Sequence, residues 1–358
     1  MPGSRPFLNR ANRVVEERMN KVVPLLRDID VDDGTLRRLR QAVLDHGRDY
    51  ARDLVPPERR GIVDMIAALA EQENRSALGI TYSGFALTAL PHKRLPDDQP
   101  WQRQGHRIRL LVEPGRLPDP KSPDGFRLYG VPYGSRARMI MFYLQSEAVR
   151  TRSREIEIGR SMHDWLDRMG ISIGGQGYKD VREQAMRISA CRMTFASEVD
   201  IGGARANGFS KGQIVDEGLQ FSFATTSGDP RQPSLWQDVV VLNEKFYREL
   251  LAHPVPLWEP ALKQLSSNSP AIDIYVWLAY RLHSLSEPTH ITWLSLFEQF
   301  GAGYARLRDF RKRFQDNLVL ALAVYEEARV EVKDDGSGVI LYPSAPPIPE
   351  REQQHLLG

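Results

Sequence analysis

Between Arg150 and Phe195 the spacing of apolar residues changes with each new element. Ile156 and Ile158 mark a short extended piece, and Ser161 to Met169 predicts a helix. A glycine-rich turn follows (Gly170, Gly174, Gly175, Gly177), then a second helix from about Tyr178 to Ala190. Its apolar face is Val181, Ala185 and Ile188, at i, i+4, i+7, and a strand begins near Arg192. Helix, glycine turn, helix, strand is the order of a helix-turn-helix that runs on into a wing.

The same order returns further on. Thr289 to Ile291 is extended, Thr292 caps a helix over Trp293–Phe300, and Gly301-Ala302-Gly303 is the turn. A long helix from Arg306 to Ala328 carries the stripe Leu307, Phe310, Phe314, Leu318, Ala321 and Tyr325. Strands at Val330–Val332 and Val339–Tyr342 flank the hairpin signal Asp334-Asp335-Gly336. One such series would be weak evidence; two in tandem are hard to attribute to chance.

Around these blocks, residues 1–75 read as polar helices: Arg10–Arg27, Leu36–Leu54 behind a cap at Asp32 to Thr35, and Gly61–Gln72. Gly79–Leu90, Arg107–Val112 and Phe126–Val131 predict strands, with polar loops over Pro91–Gln104 and Pro114–Gly125. Ser135–Val149 predicts a strong helix. The first wing is expected as Met193–Val199, a glycine-rich tip over 202–212 and a return strand Leu219–Ala224. Thr225–Pro233 is the best linker. The expected fold is α+β and predominantly helical, with tandem winged-helix domains. Its divisions are an N-terminal helical extension (1–75), a first winged-helix domain (76–228), a second (229–350) and a tail (351–358).

Composition changes this picture little. Charged residues make up 26% of the 358 and hydrophobic residues 41%, with a net charge of only +2, as in an ordinary soluble protein. No global charge demands a nucleic-acid partner. Arginine, the better residue for bidentate phosphate and guanine contacts, outnumbers lysine and is clustered, though GC-rich genomes favour arginine too and that alone would explain much of the excess. The single cysteine, Cys191, rules out an internal disulfide or a thiolate zinc cluster and suits a small buried apolar position. No long apolar run or leader is present, so no membrane partner is expected and a cytoplasmic location is the default.

The candidate DNA contacts follow from the charge map. Arg306, Arg308, Arg311, Lys312 and Arg313, with Gln315 beyond them, make the first turns of the last long helix the densest basic segment. In a winged helix that end enters the major groove. Lys179, Arg182 and Arg187 are the basic positions of the earlier helix, which suits secondary contacts or dimer control. Arg136 and Arg138 sit at a helix start, where the dipole disfavours them, a hint of an anionic partner. Catalytic signatures are missing from the sequence. No phosphate-cradling GxxxxGK[ST] occurs, no HExxH, no nucleophile elbow and no histidine pair separated by one residue. The expectation is a protein that is not an enzyme, with no cofactor and no metal.

The segment PYGSRARMIMFYLQSEAVRTRSREIEIGRSMHDWLDRMGISIGGQGYKDVREQAMRISACRMTF resembles plasmid-encoded RepA-type replication initiators. So does WLSLFEQFGAGYARLRDFRKRFQDNLVLALAVYEEARVEV, and the resemblance spans roughly residues 77–348. Its strongest markers include Trp165, Gly170, Gly174-Gly175, Tyr178, Arg182-Glu183-Gln184, Trp293 and Phe310. The resemblance implies binding to repeated sequences in double-stranded plasmid origin DNA, opening of an adjacent AT-rich region, and contacts with the host replication initiator and replicative helicase. It also implies homodimer and monomer forms. A winged-helix transcriptional repressor, and a nicking endonuclease or primase, are the other readings.

Overall fold

The computed structural model describes residues 33–72, 77–105, 108–158, 162–171, 173–201, 204–212, 214–217, 239–333 and 335–349. The predicted helix at Arg10–Arg27, the return strand at Leu219–Ala224 and the linker at Thr225–Pro233 lie outside them. The described chain is mixed α+β.

Among the described residues the α-helices α1 (Asp33–His46), α2 (Arg48–Asp53) and α3 (Arg60–Ala70) come first. The one helix expected over Leu36–Leu54 is divided at Gly47, whose φ of 85° is incompatible with a continuing right-handed helix. Then follow β1 (Leu78–Tyr82), α4 (Ser83–Leu87), β2 (Trp101–Gly105), β3 (Ile108–Glu113), β4 (Gly115–Pro118) and β5 (Phe126–Tyr129). Next are α5 (Gly134–Thr151), β6 (Glu155–Glu157), α6 (Met162–Arg168), α7 (Gly175–Ala190), β7 (Arg192–Ile201), β8 (Ala204–Gly212), β9 (Val215–Glu217) and β10 (Val239–Leu242). The remaining elements are α8 (Glu244–Ala252), β11 (Pro254–Trp258), α9 (Glu259–Gln264), α10 (Ser269–Leu282) and β12 (Thr289–Thr292). The chain closes with α11 (Trp293–Phe300), α12 (Leu307–Val324), β13 (Val330–Val332) and β14 (Gly338–Leu341).

Strand, helix, long helix, strand, helix, helix therefore occurs twice, without interruption from β11 to α12 and, from β1 to α7, with the four strands β2–β5 inserted between α4 and α5. The two equivalent leading strands, β1 and β11, pair with each other antiparallel, Ile80 opposite Pro256. Such self-pairing of equivalent strands is what an approximate two-fold relation between the repeats produces. The long helices α5 and α10 pack together beside it, within one continuous apolar core that also takes in α1 and α3.

Two expectations are corrected by the strand pairing. β7 and β8 do not form the first wing; they join β2 and β3 in a four-stranded sheet of order β2-β3-β7-β8. The sheet beside α6 and α7 has the order β6-β10-β9, matching β12-β14-β13 in the second repeat: first strand, last strand, middle strand. β10 lies beyond residue 228, yet it pairs with β6, Val240 opposite Ile156. A boundary at 228/229 would cut that sheet.

The second half of the predicted Gly79–Leu90 strand is the helix α4. Gly84 allows it: a Cβ there would lie 2.4 Å from the Tyr82 ring and 2.8 Å from Phe195, so only glycine lets the turn close on these aromatics. β2 falls largely within the loop predicted over Pro91–Gln104, and β11 is a strand for which the sequence gives no periodic signal. In β11, Pro254 and Pro256 can stand in a strand because, among the described residues, its sheet has two strands and leaves it an open edge.

Candidate nucleic-acid interface

Both helix pairs are joined by turns that need glycine at one position. Gly170 adopts φ 63°, and Ile171 N–H donates to Leu166 O at 2.9 Å, closing α6 with a left-handed cap. Gly303 adopts φ 89° in the turn after α11. The cap on α11 is the predicted one: Ser295 N–H donates to the Thr292 hydroxyl at 3.2 Å.

α12 is anchored by an aromatic cluster on one side. Phe310, Phe314 and Leu318 are buried; Trp293 meets Phe314 edge-on at 5.8 Å, and Phe297 meets Phe310 at 5.4 Å. That stripe fixes which side faces away. Arg306, Arg308, Lys312 and Arg313 are all exposed, Arg308 with 85% of its side chain accessible and 3.6 Å from Asp309. Arg311 is different: its guanidinium stacks 5.0 Å over the Trp293 ring and borders Gly336 in the β13–β14 turn. Gln315 is half-buried. Positive charge at a helix N-terminus opposes the helix dipole. Asp309 is the one acidic residue among positions 306–313, against five basic ones, so the segment keeps a positive charge that a bound polyanion would offset.

On α7, Val181, Ala185 and Ile188 are fully buried, as their spacing predicts, and Lys179 and Arg182 are exposed. Arg187 is not at the surface, which corrects its expected role in binding DNA. It is 2% exposed and its guanidinium donates to Asp97 at 2.6 Å, Glu183 at 3.0 Å and Val131 O at 3.2 Å, with the Tyr133 ring 5.3 Å away. Arg94 closes the cluster from outside, 3.2 Å from Asp97 and 3.6 Å from Glu183. Burial pushes the Asp97 carboxyl upward, but the hydrogen bond and charge of Arg187, with Arg94, outweigh it and hold the group below its usual range.

The pair at the start of α5 is corrected too. Arg138 is 4% exposed and forms a bidentate contact with Asp273 of α10, Nε to Oδ1 at 2.6 Å and Nη2 to Oδ2 at 2.7 Å. It also donates to Leu90 O and Gly134 O at 2.7 and 2.8 Å. Arg136 is half-buried and donates to Ser266 O at 3.2 Å. Their misplacement against the helix dipole is explained by partners inside the protein, not outside it. Sequence reasoning missed Asp97 and Asp273 because their partners stand 90 and 135 residues away.

His92 sits beside the Arg138–Asp273 pair, its Nδ1 3.0 Å from Ser269 Oγ and its Nε2 3.8 Å from Asp273. Burial, with the nearby Arg138 charge, lowers its pKa to about 4 against the opposing pull of Asp273. Cys191 is fully buried, and burial raises its thiol to about 12. Among the described residues no group of three or more His, Cys, Asp or Glu is placed to hold a metal ion, and no helix is long and apolar enough to cross a membrane.

Residues 131–294 match the family model described as plasmid encoded RepA protein, a segment running from before α5 to the start of α11. The resemblance to RepA-type proteins is thereby shown over that segment. Two crystal structures of domains 2 and 3 of RctB are similar to the chain. One has a TM-score of 0.47 at 11% identity over 73% of this chain and 98% of that one. The other has 0.42 at 14% identity over 72% and 93%. No match is found among curated proteins.

Proposed function

We propose that this chain is a plasmid replication initiator that binds repeated sequences in origin DNA and has no catalytic site of its own. The observation that carries the reading is the set of exposed basic residues Arg306, Arg308, Lys312 and Arg313 at the start of a helix whose apolar stripe is anchored in the core. A B-DNA major groove about 12 Å wide admits one such helix. The RepA family match over residues 131–294 supports the same reading. In this proposal each repeat is a winged-helix unit. The division falls after β10, not at 228/229, because β10 completes the sheet of the first unit. α12 makes the main contacts to bases and phosphates, while Lys179 and Arg182 on α7 make secondary ones.

Opening of an AT-rich tract, recruitment of the host initiator and helicase, and exchange between dimer and monomer complete the proposed role. The test is permanganate footprinting on supercoiled plasmid carrying the DNA that flanks the coding sequence. An initiator produces reactive thymines beside its repeats. Protected repeats without reactive thymines would make the protein a repressor, and magnesium-dependent strand scission would make it an enzyme.

A further inference from the structure

The basic turns lie at one end of α12; the other end is held by residues far away in sequence. α3 packs on α12 and α9, and α1 packs on α3; both lie outside the family match and the repeated element order. Arg40 of α1 reaches across and donates through Nη2 to the backbone carbonyls of Leu322 and, at 3.3 Å, Ala323. Arg59, at the entry to α3, places Nη2 3.8 Å from the Asp316 carboxylate on the same helix.

The last four carbonyls of a helix have no partner within it, and the end of a helix carries partial negative charge. Leu322 and Ala323 are both buried, so water is a poor substitute there. α12 ends at Tyr325 in a non-helical conformation, and a guanidinium supplies two donated hydrogen bonds together with a full positive charge. From Arg306 to Ala323 the helix spans about 25 Å at 1.5 Å per residue. A grip on its far end therefore sets the axial position of side chains that must meet base edges to within about 0.5 Å.

We infer that Arg40 is a positioning residue for DNA recognition, and that α1–α3 form a brace holding α12 by its C-terminal half. This rests on the proposal that α12 reads DNA. Base contacts depend on that position, whereas phosphate contacts tolerate small displacements, so the two kinds of binding separate the brace from a merely structural role.

The experiment uses the full-length chain and a duplex enriched by the wild type from a random-sequence pool, with a scrambled duplex of equal composition as reference. Arg40→Ala is expected to weaken binding to the enriched duplex by tenfold or more. Affinity for the scrambled duplex and its salt dependence should stay unchanged, and Arg40→Lys should recover part of the loss. Equal loss on both duplexes, or no loss on either, overturns the inference. If the wild type enriches no sequence, the proposed function fails instead. Hydrogen exchange then decides the brace alone: faster exchange confined to α12 in Arg40→Ala supports it, and unchanged exchange overturns it.

Discussion

Arg138 on α5 and Asp273 on α10 form a buried bidentate ion pair that ties the first repeat to the second, with oxygen–nitrogen distances of 2.6 and 2.7 Å. The remaining guanidinium hydrogens go to main-chain carbonyls, so the charge is hydrogen-bonded nearly all round. Removing one partner of such a pair leaves an uncompensated charge in the interior. Asp273→Ala is expected to cost about 3–5 kcal/mol in denaturant-induced unfolding. Replacing both partners by apolar residues of similar size should restore most of that. A single variant with unchanged stability would show that the pair does not hold the two halves together.

Lowering the pH should loosen the same contact through His92. Its folded pKa of about 4 lies below the ordinary 6.5, so the unfolded chain binds more protons between those values. Stability contributed by the neutral ring is present above pH 6.5 and is lost as the pH falls toward 4. At pH 5 the loss amounts to roughly 2 kcal/mol. Urea melts at pH 7 and pH 5 should differ less for His92→Gln than for the wild type. Equal differences would rule out His92 as a source of the slope.

Arg187 and Lys179 stand on the same helix and should behave in opposite ways. Arg187→Ala takes the buried partner from Asp97 and Glu183, leaves them Arg94 alone, and opens space beside Tyr133, so a stability loss of about 2–4 kcal/mol is expected. Lys179→Ala, at an exposed position, should stay within about 0.5 kcal/mol in stability and weaken DNA binding. Thermal melts and binding isotherms on both variants check the contrast. A stable Arg187→Ala protein with weakened DNA binding would return that residue to the interface.

The helices α5, α7 and α12 were legible because their apolar residues recur at helical spacing over three or more turns, and they bury the side the spacing names. β11 was not, since its prolines disguise a strand whose partner, β1, lies more than 170 residues earlier. The basic row at Arg306 to Arg313 was visible as charge density, and the exposure of Arg308, Lys312 and Arg313 agrees with it. Arg138 and Arg187 were misread for one physical reason: an arginine on a helix looks alike whether a phosphate or a distant aspartate neutralises it. A sequence signal did exist at Arg138. It shares a helical stripe with Met141 and Gln145, at i+3 and i+7, and both of those are buried.

Salt dependence separates phosphate contacts from a solvent-exposed basic row. Each neutralised phosphate contributes about −0.9 to the slope of log affinity against log salt. Lys312→Ala should reduce the wild-type slope by about one if Lys312 meets a phosphate. A slope unchanged by the substitution would leave Lys312 facing solvent.

The central claim, that the first turns of α12 read DNA sequence, is tested most directly by the Arg308→Ala and Arg313→Ala variants on duplexes enriched by the wild type. Anisotropy titrations should show a loss of about 1–3 kcal/mol for each side chain that contacts a base, with relaxed preference at one base position. Wild-type affinity and wild-type preference in both variants would contradict the account.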